Sequence, residues 1–169
     1  MSMQERLHFA MMSLVHETIY GWVRDPYESL QAAGLAAGLT VLEVGCGPGH
    51  FTIPAAQIVG PTGSLYTLDV SPLAIARVKE KLTGQGVKNV TPVLADAAHT
   101  GLPDGCFDVV FVFGFRHGRD DIRDELCRVL KPRGILATEG ILWPTADSLQ
   151  PMGQQGNIYR FQKMALTRG

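Results

Sequence analysis

Three short runs hold the residues whose types and spacing suit a ligand. The first is V-L-E-V-G-C-G-P-G-H-F-T at 41–52. Its apolar start gives way to an acid, Glu43, and then to three alternate glycines, Gly45, Gly47 and Gly49, before a helix-compatible segment. Glycine is needed where backbone torsions are unusual or where a ligand approaches the main chain closely. A strand that stops in such a turn and opens a helix aims helix N-terminal N–H groups at its ligand. The second run is L-Y-T-L-D, which ends at Asp69. A carboxylate at that strand end can accept hydrogen bonds from both hydroxyls of a ribose, or it caps the next helix. The third is A-D-A at 95–97, where Asp96 can accept from an adenine amino group or serve as a plain loop aspartate. Together the three runs suit the holding of a nucleoside.

Two familiar phosphate-binding loops do not fit. A dinucleotide fingerprint reads G-x-G-x-x-G, whereas the spacing here is G-x-G-x-G and the third dinucleotide position falls on His50. A P-loop needs Gly-Lys-Ser/Thr, and none follows. No catalytic triad or metal cluster is evident, the five histidines lack ligand spacing, and no metal is expected. Cys46, between two glycines of the turn, reads as a small buried residue rather than a catalytic thiol.

Composition narrows the class. With 169 residues, 46% of them apolar and 18% charged, the chain reads as one soluble domain with a sizeable core. Its net charge of −1 shows no basic surplus of the kind that marks nucleic-acid binding. No run approaches the roughly 18 apolar residues of a membrane span. Glu5, Arg6, His8, His16 and Glu17 interrupt any signal-peptide core. The three cysteines, Cys46, Cys106 and Cys127, form no C-x-x-C pair, which fits a reducing, cytoplasmic setting.

The elements that must position these residues alternate along the chain. Residues 4–20 read as a helix, and Pro26 and Gly34 bracket a short one at about 27–33. A strand at 40–45 precedes the turn, and a helix runs from the turn to about Val59. Leu65–Asp69 is a second strand. Ser71 and Pro72 then start a helix as N-cap and first helical residue, with Ile75, Val78 and Leu82 on one face. Val90–Leu94 is a third strand. Phe107–Phe113 is almost continuously apolar, as expected of a central strand buried on both faces. Asp120 and Asp121 open a helix that Lys131-Pro132 stops, and Ile135–Thr138 is a fifth strand. This alternation predicts an α/β fold, a doubly wound and mostly parallel sheet with N-terminal helices. Ligands in such sheets sit at the carboxyl ends of the strands.

These pieces resemble the class I S-adenosylmethionine-dependent methyltransferases over roughly residues 35–140, most closely the small-molecule, type 11-like members. E-V-G-C-G-P-G is similar to the family's first motif, L-D-V at 68–70 to its second and A-D-A at 95–97 to its third. F-D-V-V-F at 107–111 resembles the strand of the fourth. E-L-C-R-V-L-K-P-R-G at 125–134 is close to the family's E-x-x-R-V-L-K-P-G-G, with Arg133 in place of a glycine. The resemblance implies a Rossmann-like fold, S-adenosylmethionine as cofactor and methyl transfer to a small-molecule acceptor. It places Gly45 and Gly47 at the methionine moiety and Glu43 near its ammonium, unless Glu43 only orders the turn. Asp69 would then hold the ribose, Val70 pack on the adenine, and Asp96 with Ala97 bind its edge. Phe113 and Gly114 would line the methionyl end.

The acceptor side is less defined. His117, in Phe113-Gly-Phe-Arg-His-Gly-Arg119, could act as a general base or be a surface or capping histidine. Tyr20 and Trp22 could face the sulfonium or simply pack on the sheet. The expected organisation is a single domain over 1–169, with a helical lid at 1–34, a cofactor-binding core at 35–140 and a shortened segment at 141–169. Only about 16 residues separate Gly140 from Asn157. One closing strand or its helix is therefore expected to be missing or very short, with Asn157–Ala165 as an antiparallel edge strand. A homodimer is expected to cover that edge, Arg160 and Lys163 as charged protection being the competing monomer reading. The alternative to an active transferase is a cofactor-binding protein without independent activity, or a subunit completed by a partner.

Overall fold

Seven strands form one sheet in the order β3-β2-β1-β4-β5-β7-β6 in a computed structural model that describes residues 25–114, 119–140 and 146–165. The strands are β1 Thr40–Val44, β2 Ser64–Asp69, β3 Val90–Leu94, β4 Phe107–Val112, β5 Leu130–Glu139, β6 Leu149–Gln155 and β7 Ile158–Lys163. The helices are α1 Pro26–Ala32, α2 Thr52–Val59, α3 Pro72–Gly84 and α4 Asp120–Val129. Strands β1 to β5 are parallel, and β7 runs antiparallel between β5 and β6. The chain steps outward from β1 through β2 to β3, then returns to the other side of β1 with β4. The order therefore reverses between β1 and β4, where ligands of such sheets bind.

Both faces of the sheet are covered. Val41, Leu65, Val109, Phe111, Ala137 and Ile158 pack with Leu30 and Ala33 of the α1 region and with Ala55, Ala56 and Val59 of α2. Leu42, Val44, Leu68, Val110, Leu136 and Phe161 pack on the other side with Ile122, Leu126 and Val129 of α4. The apolar spacing of α3 places Ala74, Ile75, Val78 and Leu82 around Cys46. Ser71 caps α3 through a hydrogen bond from the Ala74 N–H to its Oγ, 3.4 Å, with Pro72 at the first helical position. Asn89 closes the other end of α2, its Nδ2 donating to the carbonyls of Ala56 and Gly60 at 2.9 and 2.8 Å.

Three features depart from the expected elements. First, β5 begins at Leu130, paired with Phe107, and its register then jumps to Val109↔Ile135. Residues 131–134 loop out of the ladder, so the Lys131-Pro132 break and the strand at 135–138 are parts of one bulged strand. Second, both closing strands are present, and the shortening falls on the helix expected before them: the described residues between β5 and β6 form none. The segment at 149–155 forms β6, and β6 and β7 are joined by the two-residue turn Gly156-Asn157. Third, the segment Ile158-Tyr159-Arg160-Phe161 is paired on both sides, and β6 holds the edge instead. Lys163 does not protect an edge either. Its Nζ donates to the carbonyls of Cys127 and Leu130 at 2.6 and 2.7 Å, closing the end of α4.

Candidate functional site

The carboxyl ends of β1 to β4 bring the sequence-predicted residues to one edge of the sheet. Gly45 and Gly47 follow β1, Asp69 and Val70 end β2, Asp96 and Ala97 follow β3, and Phe113 and Gly114 follow β4. Tyr20, Trp22, His117 and the helix expected at 4–20 lie outside the described residues.

The turn after β1 is held from below. The N–H groups of Gly45 and Cys46 both donate to the Leu68 carbonyl, at 2.8 and 3.1 Å, which pins the turn to the end of β2. Gly45, Gly47 and Gly49 have φ of 77°, 50° and 82°, values that side-chain-bearing residues rarely adopt. A Cβ on Gly47 would meet nothing within 4 Å, so the turn presents bare backbone to open space. Gly49 differs: a Cβ there would lie 3.1 Å from Val78 Cγ2, so this glycine lets the turn pack on α3.

Asp69 closes the turn from the neighbouring strand. Its Oδ2 accepts from the Gly47 N–H at 2.9 Å and its Oδ1 from the Ser71 N–H at 2.8 Å. Asp69 thus orders both the glycine turn and the start of α3. A carboxylate has about four acceptor positions, so two remain for ribose hydroxyls. Val70, beside it, is 65% exposed, a large apolar surface at the site edge. Asp96 is exposed, and its Oδ1 accepts from the Ala98 N–H at 2.8 Å, folding the loop back on itself. Ala97 is buried against the α4 side of the core. Phe113 is only 6% exposed, and its ring packs at 5.1 Å from Phe51 and 5.0 Å from Phe111. Its ring therefore belongs to the core, and Gly114, exposed with φ 77°, follows it beyond the end of β4.

Glu43 lies beneath the turn, in the ordering position that stands as the alternative to a place near a ligand ammonium. It is 2% exposed, and its Oε2 accepts from the hydroxyls of Thr52 and Thr67, both at 2.6 Å. The carboxyl ties β1 to β2 and to the first turn of α2, directly beneath the glycines. Burial pushes its pKa up to about 7 against the lowering effect of the two hydroxyls, and the Asp69 carboxylate adds to the rise. Burial also raises the Cys46 thiol, and the Glu43 carboxylate works in the same direction, so this cysteine is inert rather than nucleophilic. Thr52 and Thr67 were not legible as site residues. They stand 9 and 24 positions from Glu43, and only the strand register and the turn bring them to it.

Open glycine backbone, a ribose-competent carboxylate, an exposed apolar side chain and a second carboxylate therefore line one strand-end edge. These residues fit an adenosine-type ligand. Among the described residues no group of three or more His, Cys, Asp or Glu side chains could hold a metal ion.

The methyltransferase domain family matches residues 41–134 of the chain. The ubiquinone/menaquinone biosynthesis C-methyltransferase UbiE of Ectopseudomonas mendocina is 39% identical over 134 residues, covering 75% of this chain and 52% of that protein. The demethylmenaquinone methyltransferase of Anoxybacillus flavithermus is 34% identical over 116 residues, covering 67% of this chain and 48% of that protein. The chain thus spans about half the length of the curated relatives it matches. A SAM-dependent methyltransferase from Aquifex aeolicus shares the fold, with a TM-score of 0.75 at 22% identity over 92% of this chain and 97% of that one. The seven-stranded sheet, the glycine turn and the family match converge: this chain belongs to the class I S-adenosylmethionine-dependent methyltransferases.

Proposed function

We propose that the chain binds S-adenosylmethionine at the carboxyl ends of β1 to β4 and transfers its methyl group to a small-molecule acceptor. The observation that carries this reading is the open backbone at Gly47, which follows β1 beside the point where strand order reverses and is hydrogen-bonded to Asp69 at the end of β2. When bound, the cofactor supplies an electrophilic sulfonium methyl, which an acceptor O, N, C or S atom attacks in line with the departing sulfur. The leaving sulfur needs no proton, so the chain's own task is to position and to exclude water. Gly45 and Gly47 let the backbone approach the methionyl end. Asp69 holds the ribose, Val70 covers the adenine face, and Asp96 and Ala97 meet the adenine edge. Glu43 acts from beneath, by fixing the turn through Thr52 and Thr67.

On the acceptor side, His117 and Tyr20 are candidates by sequence position alone; the expected lid at 1–34 does not hold as a whole, because Leu30 and Ala33 pack into the core. The names of the relatives make a quinone-type ring the first acceptor class to try. A subunit that needs a partner's strands is not favoured, because β6 and β7 already close the sheet. A cytoplasmic location fits the three free cysteines, and no described helix is long and apolar enough to cross a membrane. The test is incubation of purified protein with methyl-labelled cofactor and a panel of small-molecule acceptors, including reduced quinone precursors. Label should enter a small-molecule product. Cofactor binding without transfer to any member of the panel would instead support a binding protein.

A further inference from the structure

The loop after β3 carries Asp96 and Ala97, yet it contains no helix or strand of its own between Ala95 and Cys106. Something must hold it. At its near end Ala95 N–H donates to the Asp69 carbonyl at 3.2 Å, and the His99 N–H donates to the Asp96 carbonyl at 2.9 Å. Its far end is fastened to α4. Thr100 is 4% exposed, and both its N–H and its hydroxyl donate to Glu125 Oε1, at 2.9 and 2.6 Å. The same hydroxyl accepts from the Leu102 N–H at 3.2 Å. Arg128, one helical turn beyond Glu125, grips both the carboxylate and the loop. Its Nε donates to Glu125 Oε2 at 2.8 Å, its Nη2 to Glu125 Oε1 at 2.7 Å and to the Leu102 carbonyl at 2.8 Å, and its Nη1 pairs with Asp104.

We propose that Thr100, Glu125 and Arg128 form a positioning cluster that holds the 95–102 loop, and with it Asp96 and Ala97, in the shape that receives the adenine end of the cofactor. The inference rests on the S-adenosylmethionine reading above. None of the three residues touches the ligand edge; they act through the loop. A charge-assisted, bidentate Arg–carboxylate pair is geometrically specific, and here the pair, one turn apart on α4, also holds a loop. The Arg128 guanidinium, with the Thr100 donors, holds the Glu125 carboxyl down to about 2, so the cluster stays ionised throughout the neutral range. Three residues separate Thr100 from Asp96, and one of them, Ala98, donates its N–H to Asp96 Oδ1. Release of the far end therefore loosens the short turn that orients the carboxylate proposed to meet the adenine amino group.

The test is calorimetry of S-adenosylhomocysteine and of adenosine with the parent chain and with Thr100→Val, Thr100→Ser and Glu125→Gln, at a temperature where circular dichroism shows each folded. Thr100→Val and Glu125→Gln should weaken both ligands by a similar factor, about tenfold, the scale of one lost buried hydrogen bond. Thr100→Ser, which keeps the hydroxyl, should restore parent affinity. Faster amide hydrogen exchange confined to 96–102 should accompany the loss, a change that general destabilisation would not localise. Either folded variant alone decides the matter. Parent-like affinity for both ligands in Thr100→Val or Glu125→Gln would overturn the positioning role while leaving the cofactor reading intact. A parent chain that binds neither ligand would overturn both.

Discussion

At the scale of one residue, the acid of the glycine-turn motif is buried and orders the turn from beneath. Glu43 sits under the turn with two threonine hydroxyls on one oxygen. Its sequence position beside the glycines suggested ligand contact; its partners were illegible because they lie on β2 and α2, brought near only by the fold. The raised pKa has a definite sign for stability. The carboxyl holds its proton more tightly when folded, from 4.5 to about 7. Its favourable contribution is therefore complete below about pH 4.5 and is lost as pH rises through about 7. At 1.36 kcal/mol per unit, the loss approaches about 3 kcal/mol. Thermal melts between pH 5 and 8 should show the parent losing stability as pH rises and Glu43→Gln, which keeps an acceptor for the two hydroxyls, losing much less. Parallel pH profiles for the two proteins would contradict the assignment. Glu125 does not confuse the window, since its pKa is lowered and its pH dependence lies in the acid range, where stability rises with pH.

Legibility at the scale of elements followed periodicity and punctuation. The Ser71-Pro72 start of α3, its apolar face and the continuous apolar β4 were readable because local chemistry and burial agree. Strand β6 was not. L-Q-P-M-G-Q-Q has no β-branched or aromatic residue, contains Pro151 and Gly153, and is exposed at all but its first position. It is a strand because β7 pairs with it, a tertiary override of weak propensity. One signal was present and unused: the Gly156-Asn157 pair is a two-residue hairpin turn, and Gly156 has φ 60°. The bulge in β5 holds a second lesson. Arg133, which stands where the family pattern has glycine, has φ 66° and is the only non-glycine residue with positive φ among the described residues. Left-handed backbone costs a side-chain-bearing residue roughly 1–2 kcal/mol, part of which glycine returns through its freer unfolded chain. Arg133→Gly should therefore stabilise the protein by about 0.5–1 kcal/mol, read as a higher urea midpoint with unchanged slope. A lower midpoint would show that the exposed arginine contributes more than its backbone strain costs.

The whole molecule is a closed layer structure whose two sheet edges are both interrupted. The outer strands are β3, with Pro92, and β6, with Pro151 and a register shift between Pro151 and Gly153. Proline removes a donor from the edge, and a bulge twists it away from pairing. The expected dimer edge at 158–161 is internal, and Lys163 serves α4, so the grounds for edge-to-edge association are gone. Light scattering at micromolar concentration should give a mass near 18.3 kDa. A mass near twice that value would show that a surface other than the sheet edges associates.

The central claim is that the strand-end edge holds a sulfur nucleoside through Asp69. Asp69→Ala is a poor probe, because it would also release the Gly47 and Ser71 N–H groups. Asp69→Asn keeps one oxygen and removes the charge. Isothermal calorimetry of the parent and of Asp69→Asn with S-adenosylmethionine, S-adenosylhomocysteine and NAD tests the claim most directly. The parent should bind both sulfur nucleosides and not NAD, and Asp69→Asn should lose about 1–3 kcal/mol of that binding, the cost of a buried hydrogen-bonding group left unpaired. Tight NAD binding with no heat from either sulfur nucleoside, or equal affinity of parent and Asp69→Asn for both, would contradict it.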